Sequence, residues 1–391
     1  MNRFDEEIDR RQTNSYKWEV AANELPMWVA DMDFAAAPVI QEALAERLAK
    51  GVFGYEIVPD SLAESYCDWW QTQHQTRLEK DWLMFCTGVV PAISSIVRKL
   101  TRPGDNVVVL SPVYNIFYNS IVNNFRKISA SELLYEAGRY QIDWPDLEAR
   151  LQDVNTNLMI FCNPHNPIGK IWEPETLARV GELCVRYGVT ILSDEIHCDL
   201  TFPQKNYTPF LSLGGAVAQQ VVMCASPSKA FNMAGLQTSA IIIQNDRLRQ
   251  LVERGINTDE VAEPNAFAVT AAVAALTKGA PWLAELKEYL FANHQLLKQT
   301  LEQKIPELSL VASEATYLAW IDCRNLTTDT EGFCRFLQAE TGLIISSGQI
   351  FGTSGAAFIR LNFATTRKRL ADGLARLEAG VTAFKKAEAS S

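Results

Sequence analysis

The chain has 391 residues, 48% of them hydrophobic and 21% charged, with a formal net charge of −10. That length calls for two domains or one large α/β unit, and the composition is that of a folded globular chain rather than a disordered one. The acidic balance argues against a nucleic-acid or anionic-membrane surface, no apolar run approaches the ~20 residues of a membrane span, and the polar start MNRFDEEIDRRQTNS reads as neither signal peptide nor anchor.

Eight cysteines without a C-x-x-C pair and four isolated histidines give no metal-ligand spacing. They read as reduced thiols of a cytoplasmic protein. In chain order, APVIQEALAERLAKG near the N-terminus has a helical pattern. Seven short apolar, β-branched runs follow: WLMFCTG, NVVVLSP, FRKISAS, NLMIFCNP, VTILSDE, QVVMCAS and SAIIIQ. Most are apolar at consecutive positions, as in strands covered on both faces. Between two of them, EPETLARVGELCVRYG places Leu177, Val180, Leu183, Cys184 and Tyr187 on one helical face, with Pro174 in the first turn and Gly188 past the end. Alternating strands and helices predict a mostly parallel seven-stranded sheet flanked by helices. From Lys278 onward the pattern changes. APWLAELKEYLFANHQLLKQTLEQ reads as a long amphipathic helix, and LSLVASEATYLAWIDC and AAFIRLNFA suggest a smaller α+β domain. We expect a large domain over 50–280 and a small domain formed by 1–49 with 281–391, the N-terminal helix included.

Ligands of parallel sheets sit beyond the carboxyl ends of the strands, so the residues after each run matter. NLMIFC leads to Asn163-Pro164-His165-Asn166-Pro167-Ile168-Gly169, VTILS to Asp194-Glu195-Ile196-His197, QVVMCA to Ser226-Pro227-Ser228-Lys229, and WLMFC to Thr87-Gly88-Val89-Val90. A parallel sheet would bring an amide, a carboxylate, an amine and a glycine turn to one rim. A lysine amine forms a Schiff base with a carbonyl. A carboxylate keeps a pyridine nitrogen protonated, so that the ring becomes an electron sink. Backbone amides at a glycine turn entering a helix hold phosphate, and Ser226 can add a hydroxyl. Taken singly, each element has a plainer reading: S-x-S-K as a surface turn, D-E as a helix cap, Asn-Pro as a turn, Tyr114 as core, Arg360 as a salt-bridged strand residue, and His197 as a structural histidine. Their order, each after its own strand pattern, changes the balance.

With these motifs the chain resembles fold-type I pyridoxal 5′-phosphate (PLP) enzymes of the class I/II aminotransferase superfamily. The carriers are NPHNPIGK, SDEIH and SPSKAFN, in that order. Within the superfamily it is most similar to the cystathionine β-lyase or C–S lyase group of MalY/PatB type, through PMWVADMDFAAAP, GVFGY, TGVVPAI, SPVYNIFYN and SKAFNMAGLQ. The resemblance implies that Lys229 carries PLP as a Schiff base and moves the substrate α-proton, that Asp194 pairs with the ring nitrogen, and that Asn166 binds the ring's phenolic oxygen with His197 nearby. It further implies that Tyr114 stacks on the ring and takes part in catalysis. Gly88, Val89, Val90, Ser226 and Ser228 would lie at the cofactor. Arg360 would take the substrate α-carboxylate, with Asn166 and Tyr114 also at the substrate. Tyr55 would reach the phosphate of a neighbouring subunit, which implies a homodimer with shared active sites. Two departures stand out. Gln237 occupies a position where many relatives carry a phosphate-binding arginine, a loss familiar in the C–S lyase group, and Ile168 replaces a common threonine.

The expected reaction is α,β-elimination on an amino acid with sulfur at the β-carbon, with an aminotransferase as the nearest rival and a PLP-binding regulatory protein as a second. We identify no second arginine for a distal carboxylate. The aromatics Trp28, Phe34 and Tyr114 suggest a partly apolar entrance.

Overall fold

The fold is described from a computed structural model covering residues 2–389. All seven apolar runs become strands of one sheet: β1 (Leu83–Cys86), β2 (Asn106–Ser111), β3 (Lys127–Glu132), β4 (Thr156–Cys162), β5 (Thr190–Asp194), β6 (Val221–Ala225) and β7 (Ser239–Ile242). Their order is β1-β7-β6-β5-β4-β2-β3. Neighbours pair in parallel from β6 to β3, and β7 alone runs against both of its neighbours. Two reversals restore direction, so β1 points the same way as β6. The carboxyl ends of β1, β4, β5 and β6 therefore share one rim. Strands β5 and β6 are buried from end to end apart from Thr190, which is why these runs lack the alternation of a half-exposed strand. Each of their Val, Ile and Leu side chains contributes about 1.5–3 kcal/mol by leaving water. That surplus lets the rim hold charged groups at a cost.

Helices cover the sheet. Helix α1 (Pro38–Ala49) and α2 (Asp60–His74) precede it, and α3 (Val89–Leu100) starts directly after Gly88. Helix α3 buries Val89, Ala92, Ile93, Ile96 and Val97 on one face. Helix α4 (Asn115–Val122) follows Tyr114, and α5 (Pro174–Tyr187) has Pro174 at its start and Gly188 at φ +70° past its end, where a left-handed residue closes the last turn. Helices α6 (Asp246–Thr258) and α7 (Ala268–Lys278) complete this layer, with α6 packed on α3.

Beyond it, the 25-residue α8 (Ala280–Lys304), α9 (Thr330–Thr341) and α10 (Arg367–Glu388) pack beside a second, antiparallel sheet. Its strands β8 (Ser309–Leu310), β9 (Leu318–Asp322), β10 (Ser346–Ser347) and β11 (Phe358–Asn362) are ordered β8-β9-β11-β10. The N-terminal segment joins both parts. Leu25–Pro26 pairs in parallel with Leu343–Ile344, whereas α1 packs on α7. The N-terminal segment thus contacts the C-terminal part through its strand and the helical layer of the large sheet through α1. Ile40, in its first turn, is its one fully buried residue, so the pattern alone did not select a partner. Among the described residues no helix is long and apolar enough to cross a membrane, and all eight cysteines are free thiols.

Candidate active site

The rim of the large sheet encloses a cavity of about 270 Å³. Gly88, Val89, Val90, Tyr114, Asn166, Asp194, His197, Ser228 and Lys229 line it. The topology explains the convergence: these residues follow β1, β2, β4, β5 and β6, whose ends lie side by side. Asp194 ends β5, level with Cys162 on one neighbour and Cys224 on the other. Arg360 arrives from the second sheet, on β11, and joins the cluster by donating from Nη1 to Asn166 Oδ1 at 3.1 Å.

Burial decides the electrostatics. Asp194 is 4% exposed and accepts from Ile196 N at 3.1 Å. Desolvation raises its carboxyl to about 6, against the pull of that bond and of Lys229. Lys229 reaches across to the loop before α1, where Nζ donates to Ala30 O at 2.7 Å. Burial lowers its amine to about 8, although the carboxylates of Asp31 and Asp194 favour the ammonium. His197 is driven down to about 3 by burial and by the cations Lys229 and Arg360. The Tyr114 phenol is raised by burial, with Arg360 opposing. Arg360 falls to about 10 through burial. Its Nη2 donates to Trp28 O at 3.0 Å, and its guanidinium lies 4.6 Å from the Phe351 ring centre.

Two buried nitrogens of these residues lack a protein partner, Arg360 Nε and His197 Nδ1. An unsatisfied buried polar group costs about 1–3 kcal/mol, so both suit a ligand that completes them. At the far end, α3 presents its free N–H groups beyond Gly88, whose φ of +156° favours glycine and where an added Cβ would lie 3.3 Å from Pro91 Cδ. Together the residues fit an aromatic aldehyde with a basic ring nitrogen at Asp194, its carbonyl at Lys229 and a phosphate at the helix start.

Three of the expected residues do not line this cavity. Ser226 does not line the cavity; its Oγ lies 2.6 Å from Thr238 O and 2.8 Å from Ser228 Oγ, which leaves Ser228 in front. Arg360 sits behind Asn166. Tyr55 is fully exposed, among exposed Val52, Phe53, Ile57 and Val58. Of the aromatics expected at the entrance, only Tyr114 lines the cavity. Phe34 is core, its ring 5.2 Å from Phe4 and 5.5 Å from Tyr289; its place in PMWVADMDF does not reveal that packing. Ile168 does not line this cavity; it is fully buried in the same apolar cluster as Trp172.

Sequence reasoning missed Ala30, Cys162, Ala234 and Thr238, which also line the cavity. It also missed Tyr317, whose hydroxyl donates to Ala30 O at 3.0 Å. Small residues and main-chain carbonyl acceptors leave no motif. Nor does the sequence show that His74, Cys198 and Asp199 gather in space. There Asp199 Oδ1 already accepts from Trp69 Nε1 and lies 2.9 Å from His74 Nε2.

An α/β sheet with a lysine, a carboxylate and an amide around one rim cavity defines a Schiff-base-forming, cofactor-dependent enzyme. Residues 23–377 match the family model "Aminotransferase class I and II". The chain is 41% identical to cystathionine beta-lyase PatB of Bacillus subtilis (strain 168), over 97% of this chain and 100% of that one. It is 33% identical to protein MalY of Escherichia coli (strain K12), over 96% and 97%. Cystalysin from Treponema denticola, whose crystal structure contains pyridoxal 5′-phosphate, superposes with a TM-score of 0.95 at 31% identity, over 97% of this chain and 99% of that one. The chain belongs to the class I and II aminotransferase family.

Proposed function

We propose that this protein is a PLP-dependent carbon–sulfur lyase that acts on S-substituted cysteines by α,β-elimination. The observation that carries the reading is the Lys229 amine, which lines the rim cavity together with Asp194 and Asn166. The full-length likeness to a cystathionine β-lyase sets the direction of the chemistry.

When bound, PLP supplies an imine to the substrate nitrogen and a ring that takes up the electron pair left at the α-carbon. The chain's own groups do the rest. Asp194, ionised at neutral pH, keeps a proton on the ring nitrogen opposite it. Arg360 receives the substrate carboxylate on its guanidinium, a charge-assisted fork that fixes the α-carbon beside Lys229. With its pKa near 8, Lys229 is a competent base near neutral pH and takes the α-proton. As the Cα–H bond breaks, the Cβ–S bond breaks too and the thiolate leaves. The released enamine hydrolyses to pyruvate and ammonia. Cystathionine would thus give homocysteine, and cysteine would give sulfide. Asn166 orients Arg360, and the Tyr114 ring forms one wall. We assign Gly88, Val89, Val90 and Ser228 to the phosphate.

The exposed apolar stretch Val52–Val58, with Tyr55 at its centre, is read as the face covered by a second copy of the chain, Tyr55 completing the neighbour's phosphate site. Isolated large exposed apolars are ordinary, but a contiguous set marks a contact surface.

The test separates elimination from transamination. The loaded protein is incubated with L-cystathionine, and separately with L-cysteine, without a keto acid. Elimination gives pyruvate and free thiol over many turnovers. One partial turnover that resumes only on adding 2-oxoglutarate would overturn the lyase reading in favour of an aminotransferase. Turnover of cysteine alone would keep the reaction and narrow the substrate.

A further inference from the structure

The loop from Trp28 to Phe34 touches both functional cations through its main chain. Trp28 O accepts from Arg360 Nη2 at 3.0 Å, and Ala30 O accepts from Lys229 Nζ at 2.7 Å. Loops are the mobile parts of a fold, yet this one must hold two carbonyls in place. Two asparagines do so, each a short step from the cation concerned.

Asn232 stands three residues after Lys229. Its Nδ2 donates to Met32 O at 3.0 Å and Phe34 O at 2.8 Å, while its Oδ1 accepts from Met32 N at 3.0 Å. Every polar atom of the side chain is thus spent on the loop. The backbone at Asn232 has φ +53°, a left-handed conformation that asparagine tolerates better than most residues. Asn362 stands two residues after Arg360 and is 2% exposed. Its Nδ2 donates to Val29 O and Asp31 O, both at 2.6 Å. These two carbonyls bracket Ala30. Beneath them, Asp33 Oδ1 accepts from Lys17 Nζ at 3.0 Å and Trp18 Nε1 at 2.8 Å.

We propose that Asn232, backed by Asn362, is a positioning residue for Lys229: it fixes the Ala30 carbonyl, which holds the amine whenever that amine is not bound to the cofactor. The inference rests on the lyase reading only for its turnover arm. The amine must be parked twice, before the cofactor is captured and again while the substrate occupies the cofactor. An accepting carbonyl engages one N–H of the neutral amine and leaves its lone pair free to turn toward the α-carbon. The Tyr317 hydroxyl, 3.0 Å from the same Ala30 oxygen, supports that carbonyl from the other side. A network shared by both cations makes their separation depend on one loop.

The test uses Asn232→Gly, which accepts the left-handed backbone and deletes the amide, and Asn232→Asp, which keeps the acceptor for Met32 N and loses both donors. The first readout needs no turnover: the rate at which cofactor-free protein turns yellow with added PLP, measured at saturating cofactor. The second is kcat per bound PLP for pyruvate release. Both rates are expected to fall about tenfold, since a misplaced reacting group loses that much or more. KM should stay within about twofold, because Asn362 still holds Val29 O next to the Trp28 carbonyl that Arg360 uses. Asn362→Ala should add a rise in KM, because Trp28 adjoins the carbonyls it binds. Thermal melts check folding; if the glycine variant does not fold, the aspartate variant decides. Unchanged capture rate and unchanged kcat per bound PLP, with only a lower melting point, would reduce Asn232 to a structural brace and overturn the proposal. If wild-type protein captures PLP yet releases no pyruvate, the lyase reading fails while the capture arm still decides this one.

Discussion

Asp194→Asn should stabilise the cofactor-free protein while abolishing its activity. Burial lifts the Asp194 carboxyl from 3.8 to about 6. At 1.36 kcal/mol per pH unit, the difference of 2.2 corresponds to about 3 kcal/mol against the ionised form. The sign follows from proton linkage. Between pH 3.8 and 6 the folded state holds a proton that the unfolded state has released, so stability falls as pH rises through that window. Above about pH 6 the whole cost is present. An asparagine carries no charge, and its oxygen can still accept from Ile196 N. The variant should therefore unfold later than wild type at pH 7.5, by at most about 3 kcal/mol, and the advantage should shrink as pH drops toward 4. The assay is thermal or urea unfolding of cofactor-free wild type and variant across pH 4–8, beside turnover of the loaded proteins. Loss of a charge-assisted contact in a dry site should lower kcat by about 10²-fold or more. A variant that is less stable at every pH, or whose stability difference ignores pH, would show that Asp194 serves as a turn cap rather than as a charge held for a ligand.

Three other outcomes follow from the geometry. The rate at which cofactor-free protein captures PLP requires the neutral amine, so it should rise as pH passes about 8, well below the ordinary lysine value of 10.5; a profile that climbs only near 10 would contradict the buried amine. Arg360→Lys keeps the charge and loses the fork, so KM for the amino acid should rise about tenfold to a hundredfold with a smaller effect on kcat; an unchanged KM would place the substrate carboxylate elsewhere. Mixed dimers of Tyr55→Phe and Lys229→Ala should recover activity above both parents, because the two lesions can fall in one composite site; mixtures no better than either parent would remove Tyr55 from the partner's site.

The sequence disclosed the large sheet most clearly, because strands buried on both faces must be apolar at nearly every position. NLMIFC, VTILSD and QVVMCA could scarcely be anything else between helical segments. From there the rim followed by topology, and with it Asn166, Asp194 and Lys229. The reversed β7 left no trace in SAIII, since a buried strand reads alike in either direction. The same limit hid the loop from Trp28 to Phe34. Its contribution is made by backbone carbonyls, and any residue offers the same carbonyl. Ser226 illustrates a different limit. It stands in the right motif, but whether a hydroxyl faces a cavity or a neighbouring carbonyl depends on about one ångström of backbone placement. The packing partner of α1 was not legible, because its apolar stripe is too weak to choose between two surfaces.

Four ionisable groups at the site share one physical condition. Asp194 is raised, and Lys229, His197 and Arg360 are lowered, with burial the first cause in every case. Each is thus pulled toward its neutral form by a cavity too dry for charge. A structural cluster would be expected to cancel such costs by pairing its members, as Lys17 pairs with Asp33 at 3.0 Å beneath the loop. Here Asp194 and Lys229 face one cavity, yet the hydrogen bonds they make go to main-chain atoms, Ile196 N and Ala30 O. Strain of this kind, kept unrelieved within the fold, belongs to sites that spend it on a ligand. A protonated ring nitrogen relieves Asp194, an imine removes the charge from Lys229, and a carboxylate satisfies the free Nε of Arg360. The three reliefs are chemically distinct: PLP held by Lys229 would supply the first two, and the carboxylate of an incoming amino acid the third.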